Sequence, residues 1–270
     1  MLAYHNIVPD DAMPFGDRSL HLPLASFRRQ VLRLRATHEV VPLDRVGAAA
    51  TRGRPLAAIT FDDAYAGALE LALPLLADLQ LPACIFVAPG LLGTASAWWD
   101  RLADPLKGLA PSIRDHVLEA LHGDNDAALA WARASGAQVR DPGPLARFAT
   151  EQELLRAAAL PGVLIGCHSW SHPNLATLDE SRISEELTRS TEWLARHLTC
   201  YRPLLAYPYG RSSAVAEACA ARIGIRHAYR IEGGRVRDPA TAPMALPRLN
   251  VPAGMTARGL ELRTSGLLGG

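Results

Sequence analysis

Leu56-Ala57-Ala58-Ile59-Thr60-Phe61-Asp62-Asp63 reads as a short apolar strand that stops on two adjacent carboxylates. In a regular strand Asp62 and Asp63 would face opposite sides, so both serve one site only if the chain leaves strand geometry there. The pattern recurs about a hundred residues on, where the run Val163 to Gly166 stops just before His168-Ser169-Trp170-Ser171-His172-Pro173. Outward from these two stretches, short apolar runs alternate with helical spacing. Leu2 to Val8 precedes a helix near Ser26 to Ala36 that carries Phe27, Val31 and Leu34 on one face; Leu56 to Phe61 precedes a helix around Ala66 to Leu79. Ala83 to Val87, the long helix Asp179 to Leu198, the run Leu204 to Tyr207 and the helix Ser213 to Ile223 continue the rhythm. Such βα alternation predicts a parallel sheet, open or closed into a barrel. In either architecture the functional loops lie at the carboxyl ends of the strands, where both stretches turn polar.

At 270 residues and 49% hydrophobic, the chain has the apolar content for a substantial core and the length of one α/β domain. Its formal net charge of +1 comes from scattered charges of both signs, with Lys107 the only lysine, which argues against a nucleic-acid groove or a polybasic membrane patch. Cys84, Cys167, Cys200 and Cys219 form no C-x-x-C pair, so a disulfide framework is not expected. No run of about eighteen apolar residues and no secretory opening is present, and the expectation is a cytoplasmic protein without a membrane span. Residues 94–147 break the rhythm with Trp98-Trp99-Asp100, a mostly helical segment from Ser112 to Ser135, and the loop Asp141-Pro142-Gly143-Pro144. They read as an insertion within one domain spanning 1–270, either a lid over the mouth of the site or packing against its outside. No coiled-coil repeat speaks to the oligomeric state.

Two histidines and two adjacent carboxylates are the minimum apparatus for metal-assisted hydrolysis: three hold one divalent ion and one carboxylate stays free as a base. The H-x3-H spacing of His168 and His172 suits one helix face, but Pro173 and the Ser-Trp-Ser interior favour a loop. Ser169 stands where a zincin needs Glu, which disfavours that kind of metalloprotease. Cys167 has apolar neighbours and reads as a buried inert thiol. Trp170, between the two histidines, is expected to line the pocket as a substrate contact. Trp98 and Trp99 are candidates for sugar platforms or for core anchors.

On these motifs the chain resembles the polysaccharide deacetylase (NodB-homology) family, with Thr60-Phe61-Asp62-Asp63 as its first motif and His168-Ser169-Trp170-Ser171-His172-Pro173 as its second. Ala206-Tyr207-Pro208-Tyr209-Gly210 is a third, weaker match. The resemblance implies a distorted (β/α) barrel of about seven parallel strands. It makes Asp62 the general base, and Asp63, His168 and His172 the ligands of one divalent ion, zinc first, with cobalt, nickel or iron also suited to such a site. It places the backbone N–H of Tyr209 at the oxyanion and Tyr209 itself beside the substrate. The usual family acid, a late histidine, is absent, since no histidine follows His227; Tyr4-His5 instead resembles a subgroup whose N-terminal histidine acts as acid, which assigns His5 that role. Ala206 stands where many members carry an arginine that tunes the catalytic Asp, and Arg248, in Leu246-Pro247-Arg248, resembles the element that supplies that cation. Ala64 replaces a common glycine, and would be strained if the turn there needs φ > 0.

The activity implied is metal-dependent removal of an N-acetyl or similar N-acyl group from an amino sugar or sugar-like substrate, releasing acetate and a free amine. A cytoplasmic location turns the expectation towards a lipid- or nucleotide-linked precursor of exopolysaccharide, or a small N-acylated metabolite. Two rivals are an amidase acting on a non-sugar C–N bond and a non-catalytic carbohydrate-binding protein that kept the scaffold.

Overall fold

The structure is a computed structural model that describes residues 1–46, 53–231, 236 and 240–265. Its centre is a wholly parallel sheet of β1 (Leu2–Tyr4), β2 (Ile59–Phe61), β3 (Ala83–Val87), β4 (Val163–Cys167), β5 (Tyr201–Ala206) and β6 (His227–Arg230), closed by β7 in two pieces, Leu246–Pro247 and Leu249–Asn250. The first piece pairs with β6 (Tyr229 opposite Leu246) and the second with β1 (Leu2 opposite Leu249). One run of five residues therefore joins both edges, and the eight strand segments make a barrel of seven staves. Arg248 stands at the break between the two pieces.

The alternation of strand side chains sorts the core. On the outer face Tyr4, Phe61 and the Phe27 of helix α1 (Leu24–Thr37) meet edge to face or tilted, at 5.1–5.7 Å between ring centroids. The inner face carries Ala58, Cys84, Phe86, Leu204, Ala206, Tyr229 and Leu246. Gly166 is small for a reason of space: a Cβ there would stand 2.6 Å from the Phe86 ring inside the barrel.

Several sequence expectations shift at their boundaries. Leu2 to Val8 is two strands, with Asn6–Val8 pairing in a separate parallel ribbon with His21–Pro23, and the break falls at His5. The helix expected around Ala66 to Leu79 contains a π turn over Ala68–Ala72 before α2 (Leu73–Asp78). Pro74 has no N–H to donate and its ring would crowd the carbonyl four residues back, which a widened turn relieves. The helical segment expected over Ser112 to Ser135 is two helices, α4 (Pro111–Ala120) and α5 (Asn125–Ala134), following the short α3 (Trp98–Arg101). His122 and Gly123, both at positive φ, turn the chain between α4 and α5, and Asp124 caps α5 by accepting from the Ala127 N–H at 2.8 Å. The segment has its own apolar cluster of Trp98, Trp99, Leu102, Val117, Leu118, Ala128 and Leu129, closed against Tyr65 and Phe148.

The chain returns from this segment into α6 (Glu151–Ala158) through a capping box in which the Glu153 N–H donates to Thr150 Oγ1 and the Thr150 N–H donates to Glu153. Arg147 grips the same carboxylate with two nitrogens at 2.8 and 3.0 Å, and this holds the Glu153 pKa down to about 2. The unfolded value is roughly 4.3, so the stabilisation is present above that pH and fades as the pH falls towards the folded value. Glutamine still completes a capping box. The difference in urea midpoint between wild type and Glu153→Gln is therefore expected to be constant above pH 5 and to vanish near pH 2. A difference independent of pH would contradict the ion pair as its source.

Candidate active site

Every barrel strand but one ends at the same mouth with a residue of the site or its wall: His5 after β1, Asp62 and Asp63 after β2, His168 after β4, Tyr209 after β5, Ile231 after β6 and Asn250 closing β7. They enclose a cavity of about 280 Å3, completed by Asp17, Ser19, Leu20 and, from the segment 94–147, Trp98, Trp99, Leu109 and Arg114. That volume is near the lower end of small-molecule sites, roughly 300–1,000 Å3.

The chain does leave strand geometry at the two carboxylates: Asp63 has φ 70° and Ala64 φ 57°. Seven described non-glycine residues have positive φ, and five of them, Asp63, Ala64, Ser169, His172 and Tyr209, lie in the loops that build this mouth. Such conformations cost of order 1–3 kcal/mol each and persist where the surroundings over-determine them, which singles out the mouth as the candidate functional site. At Ala64 the cost is modest. The left-handed penalty is about 1–2 kcal/mol, but glycine would forfeit about 0.8 kcal/mol of methyl burial and free the unfolded chain by about 0.4–1 kcal/mol. The terms nearly cancel, which accounts for alanine at a fully buried turn position.

Asp63, His168 and His172 are buried and converge on one point. Asp63 Oδ1 lies 3.0 Å from His172 Nε2 and 3.3 Å from His168 Nε2, and the two Nε2 atoms are 3.2 Å apart. His168 Nδ1 donates to the Ala206 carbonyl at 2.7 Å, which fixes its tautomer and leaves Nε2 with a bare lone pair. Asp63 Oδ1 is buried without a hydrogen-bond donor. His172 Nδ1 has no hydrogen-bond partner, so its Nε2 meets Asp63 Oδ1 either through its own proton or through a cation, and a cation satisfies all three atoms at once. Donors of a tetrahedral ion with bonds of about 2.0–2.1 Å are about 3.3–3.4 Å apart, so the three fit such an ion after adjustments of a few tenths of an ångström. Burial pulls both histidines towards neutrality; for His168 the carboxylates of Asp63 and Asp62 outweigh it and its pKa is raised, whereas His172 stays lowered. Burial also opposes ionisation of Asp63, yet His172 and His168 hold it well below the usual carboxylate range.

Asp62 sits beside this triad, 1% exposed. Arg248 grips it with both terminal nitrogens, Nη1 to Oδ1 at 2.7 Å and Nη2 to Oδ2 at 2.8 Å. Nη1 also donates to Thr60 Oγ1 at 2.9 Å, and that hydroxyl donates to the Leu2 carbonyl at 2.8 Å. Thr60 and Asp62 share the inner face by strand alternation, so the first motif locks β1, β2 and β7 together through one guanidinium. Burial raises the Asp62 pKa, but the Arg248 charge more than offsets it and the carboxyl is held below its ordinary value. Two of its roughly four lone-pair positions remain for the cavity.

Tyr209, at φ 58°, packs its ring on His172 at 4.6 Å; its hydroxyl accepts from Trp98 Nε1 and donates to the Gly123 carbonyl, both at 3.0 Å. Burial raises its pKa. Gly123 needs its positive φ, and a Cβ there would meet the Tyr209 ring at 2.7 Å. Trp98 and Trp99 are 1% and 6% exposed with their indole N–H groups committed, so they are anchors that wall the cavity rather than open platforms. Trp99 lies 4.9 Å from His172. Trp170 departs from its expected position and does not line this cavity. Ser169, at φ 62°, turns it outward, where its ring lies under the Arg189 guanidinium at 3.8 Å and its carbonyl accepts from Gly90. Cys167 is buried, and its thiol pKa is pushed up to about 11.

Two supporting groups were not legible beforehand. Glu186, on α7 (Glu180–His197), accepts from the N–H groups of Trp170 and Ser171 at 2.9 Å and from the Ser171 hydroxyl at 2.7 Å, pinning the loop between the two histidines. Asp100 accepts from Tyr65 Oη at 2.7 Å and the Asp17 N–H at 2.9 Å, and meets His21 Nε2 at 2.9 Å; Tyr65 Oη in turn accepts from Trp99 Nε1 at 2.7 Å. This buried chain orients Trp99 against His172. Asp100→Asn puts an amide N–H2 among donors, and is expected to lower stability by about 1–3 kcal/mol, read as a lower urea midpoint. An unchanged midpoint would show the chain to be loosely held.

A family model for polysaccharide deacetylase matches residues 49–228. His5 and Arg248 lie outside that span. Among solved structures the fold is similar to a de-N-acetylase from Aggregatibacter actinomycetemcomitans, with 16% identity, 97% of this chain and 98% of that one covered, and a TM-score of 0.68. It is similar to IcaB from Ammonifex degensii, with 17% identity, 93% and 90% covered and a TM-score of 0.65. It is also similar to the Streptococcus pyogenes deacetylase PplD, with 16% identity, 96% and 94% covered and a TM-score of 0.64. Among the described residues no helix is long and apolar enough to cross a membrane.

Proposed function

The chain belongs to the polysaccharide deacetylase family, and on that footing we propose that it is a metal-dependent hydrolase that removes an N-acetyl or similar N-acyl group from an amino sugar. The observation that carries the reading is the convergence of Asp63 Oδ1, His168 Nε2 and His172 Nε2 within 3.3 Å of one another beside the buried Asp62. A divalent ion held by those three atoms, zinc in the first instance, supplies Lewis-acid polarisation of an acyl carbonyl and lowers the pKa of water in the site to roughly 7.

The remaining work belongs to side chains of this protein. Asp62, ionised and oriented by Arg248, takes the proton of the attacking water on a lone pair that Arg248 leaves free. The Tyr209 N–H donates to the carbonyl oxygen as negative charge develops there. His5, where β1 breaks off into the mouth, delivers a proton to the departing nitrogen so that a free amine leaves. Trp98, Trp99 and Tyr209 exclude water from one side and shape the cavity for a single small ring. A cytoplasmic site of action is part of the proposal: the four cysteines are free, which suits a reducing compartment.

The test is acetate release from N-acetylglucosamine and its oligomers, run beside simple cyclic amides. Acetate from the sugars supports the reading. Hydrolysis of the cyclic amides alone would move the activity to non-sugar amides, and binding of sugar without any turnover would favour a carbohydrate-binding protein.

A further inference from the structure

The cavity over the four site residues does not end at Arg114. Asp17, Ser19, Leu109 and Arg114 also line a larger, open groove of about 630 Å3 between the loop 12–19 and the turn 106–109. That groove carries the exposed cations Arg18, Lys107 and Arg114 against the one carboxylate of Asp17. Asp17 is already engaged, its Oδ1 accepting from the Ser19 N–H at 3.1 Å and the Ser19 hydroxyl at 2.8 Å. Arg18 gives Nη1 to the Leu106 carbonyl at 2.8 Å and keeps the rest of its fork. The other acid near Lys107, Asp104, accepts from the N–H groups of Leu106 and Lys107 and from Arg140. The chain as a whole is nearly neutral, and its only lysine is here, so the local excess is not a background of positive charge. Met13 and Leu106, 79% and 71% exposed, are the most exposed large apolar side chains among the described residues, and both stand on this groove.

A neutral glycan offers such a wall only uncharged acceptors, whereas an anion makes the stronger hydrogen bonds in which both partners are charged. Arginine forks and a lysine point charge match the oxygens of a phosphate, and Arg114 touches both spaces, so an anion in the groove and an N-acyl group over Asp62 can belong to one molecule. We propose that the groove binds a phosphate carried by the substrate, which makes the preferred substrate a phosphate ester of an N-acyl amino sugar. The substrate half of this inference rests on the deacetylase reading above; the anion site does not.

Two measurements keep those halves apart. Calorimetry with inorganic pyrophosphate at low salt is expected to show binding to wild type and its loss in Arg18→Ala/Lys107→Ala. Absence of binding to wild type, or binding unaltered by the double substitution, overturns the anion site whatever the turnover. In parallel, kcat/KM for N-acetylglucosamine 1-phosphate is expected to exceed that for the neutral methyl glycoside by about tenfold, the scale of one charge-assisted hydrogen bond. The ratio is expected to fall towards one in the double variant and in 0.5 M salt, as exposed charges are screened, on the order of a 10 Å Debye length at 0.1 M. A wild-type ratio of one or less, with the neutral glycoside turned over, sinks the substrate proposal and leaves the deacetylase standing; pyrophosphate binding with neither sugar turned over leaves the anion site standing and overturns the substrate half together with the deacetylase reading. Met13→Ser/Leu106→Ser separates the sources of the phosphate. A loss confined to a polyprenyl diphosphate sugar in micelles assigns a lipid-linked ester, and equal rates assign a soluble one.

Discussion

Asp62→Asn is expected to lower kcat/KM by about 10²–10⁴-fold, the usual contribution of a positioned general base. Asparagine keeps the shape and one carbonyl oxygen for Arg248 Nη1, but its N–H2 meets Nη2 and the buried guanidinium loses its counter-charge, so a lower urea midpoint is expected as well. The proposed ligands Asp63, His168 and His172 are untouched, and metal content is expected to stay at the wild-type level. The loss of activity should therefore appear in kcat of the folded variant, at unchanged metal occupancy, and separately from its lower stability. Turnover within about threefold of wild type would remove Asp62 from its role.

Arg248→Met is expected to cost about 3–5 kcal/mol of stability, the penalty for leaving one partner of a buried ion pair alone. The position is extreme: the Arg248 side chain is 0% exposed and that of Asp62 1%, and the same guanidinium serves Thr60 and lies 5.0 Å from the Phe86 ring. Methionine replaces the volume and removes the charge, so packing loss is small and the uncompensated carboxylate dominates. Because Arg248 stands where β7 passes from one edge of the sheet to the other, the loss should appear as lower global stability rather than local fraying. Asp62→Asn/Arg248→Met then gives the coupling: the double variant should be much less destabilised than the sum of the single ones, since no buried charge remains. Simple additivity would contradict the pair as the closing element of the barrel.

Five of the seven staves are legible as apolar runs, because each contributes to both faces of a buried sheet and turns polar only at the mouth. His227–Arg230 and the two pieces of β7 are not. His-Ala-Tyr-Arg has charged or polar ends, and Leu246–Asn250 contains Pro247 and Arg248; their strand character comes from backbone pairing with residues far off in sequence. That two carboxylates and two histidines would meet at one mouth could be read from residue type and strand ends. What Arg248 touches could not, since its partner is 186 positions away. Trp170 misled because lying between two site residues in sequence does not fix where a side chain points in a loop that turns at positive φ. Glu186 and Asp100 carry no local signal at all: an acid on an amphipathic helix and an acid beside a tryptophan pair look alike on paper, and only the fold brings backbone N–H groups to the one and a tyrosine and histidine to the other.

The central claim is that Asp63, His168 and His172 hold a metal on which N-deacylation depends. It is tested most directly by elemental analysis of purified wild type and His172→Ala, with acetate release measured on the same samples before and after chelation. The account expects about one metal ion per chain in wild type, little in the variant, and acetate release from N-acetylglucosamine oligomers that is lost on chelation and restored by zinc. Wild type that binds no metal after reconstitution, or acetate release that survives its removal, would contradict it.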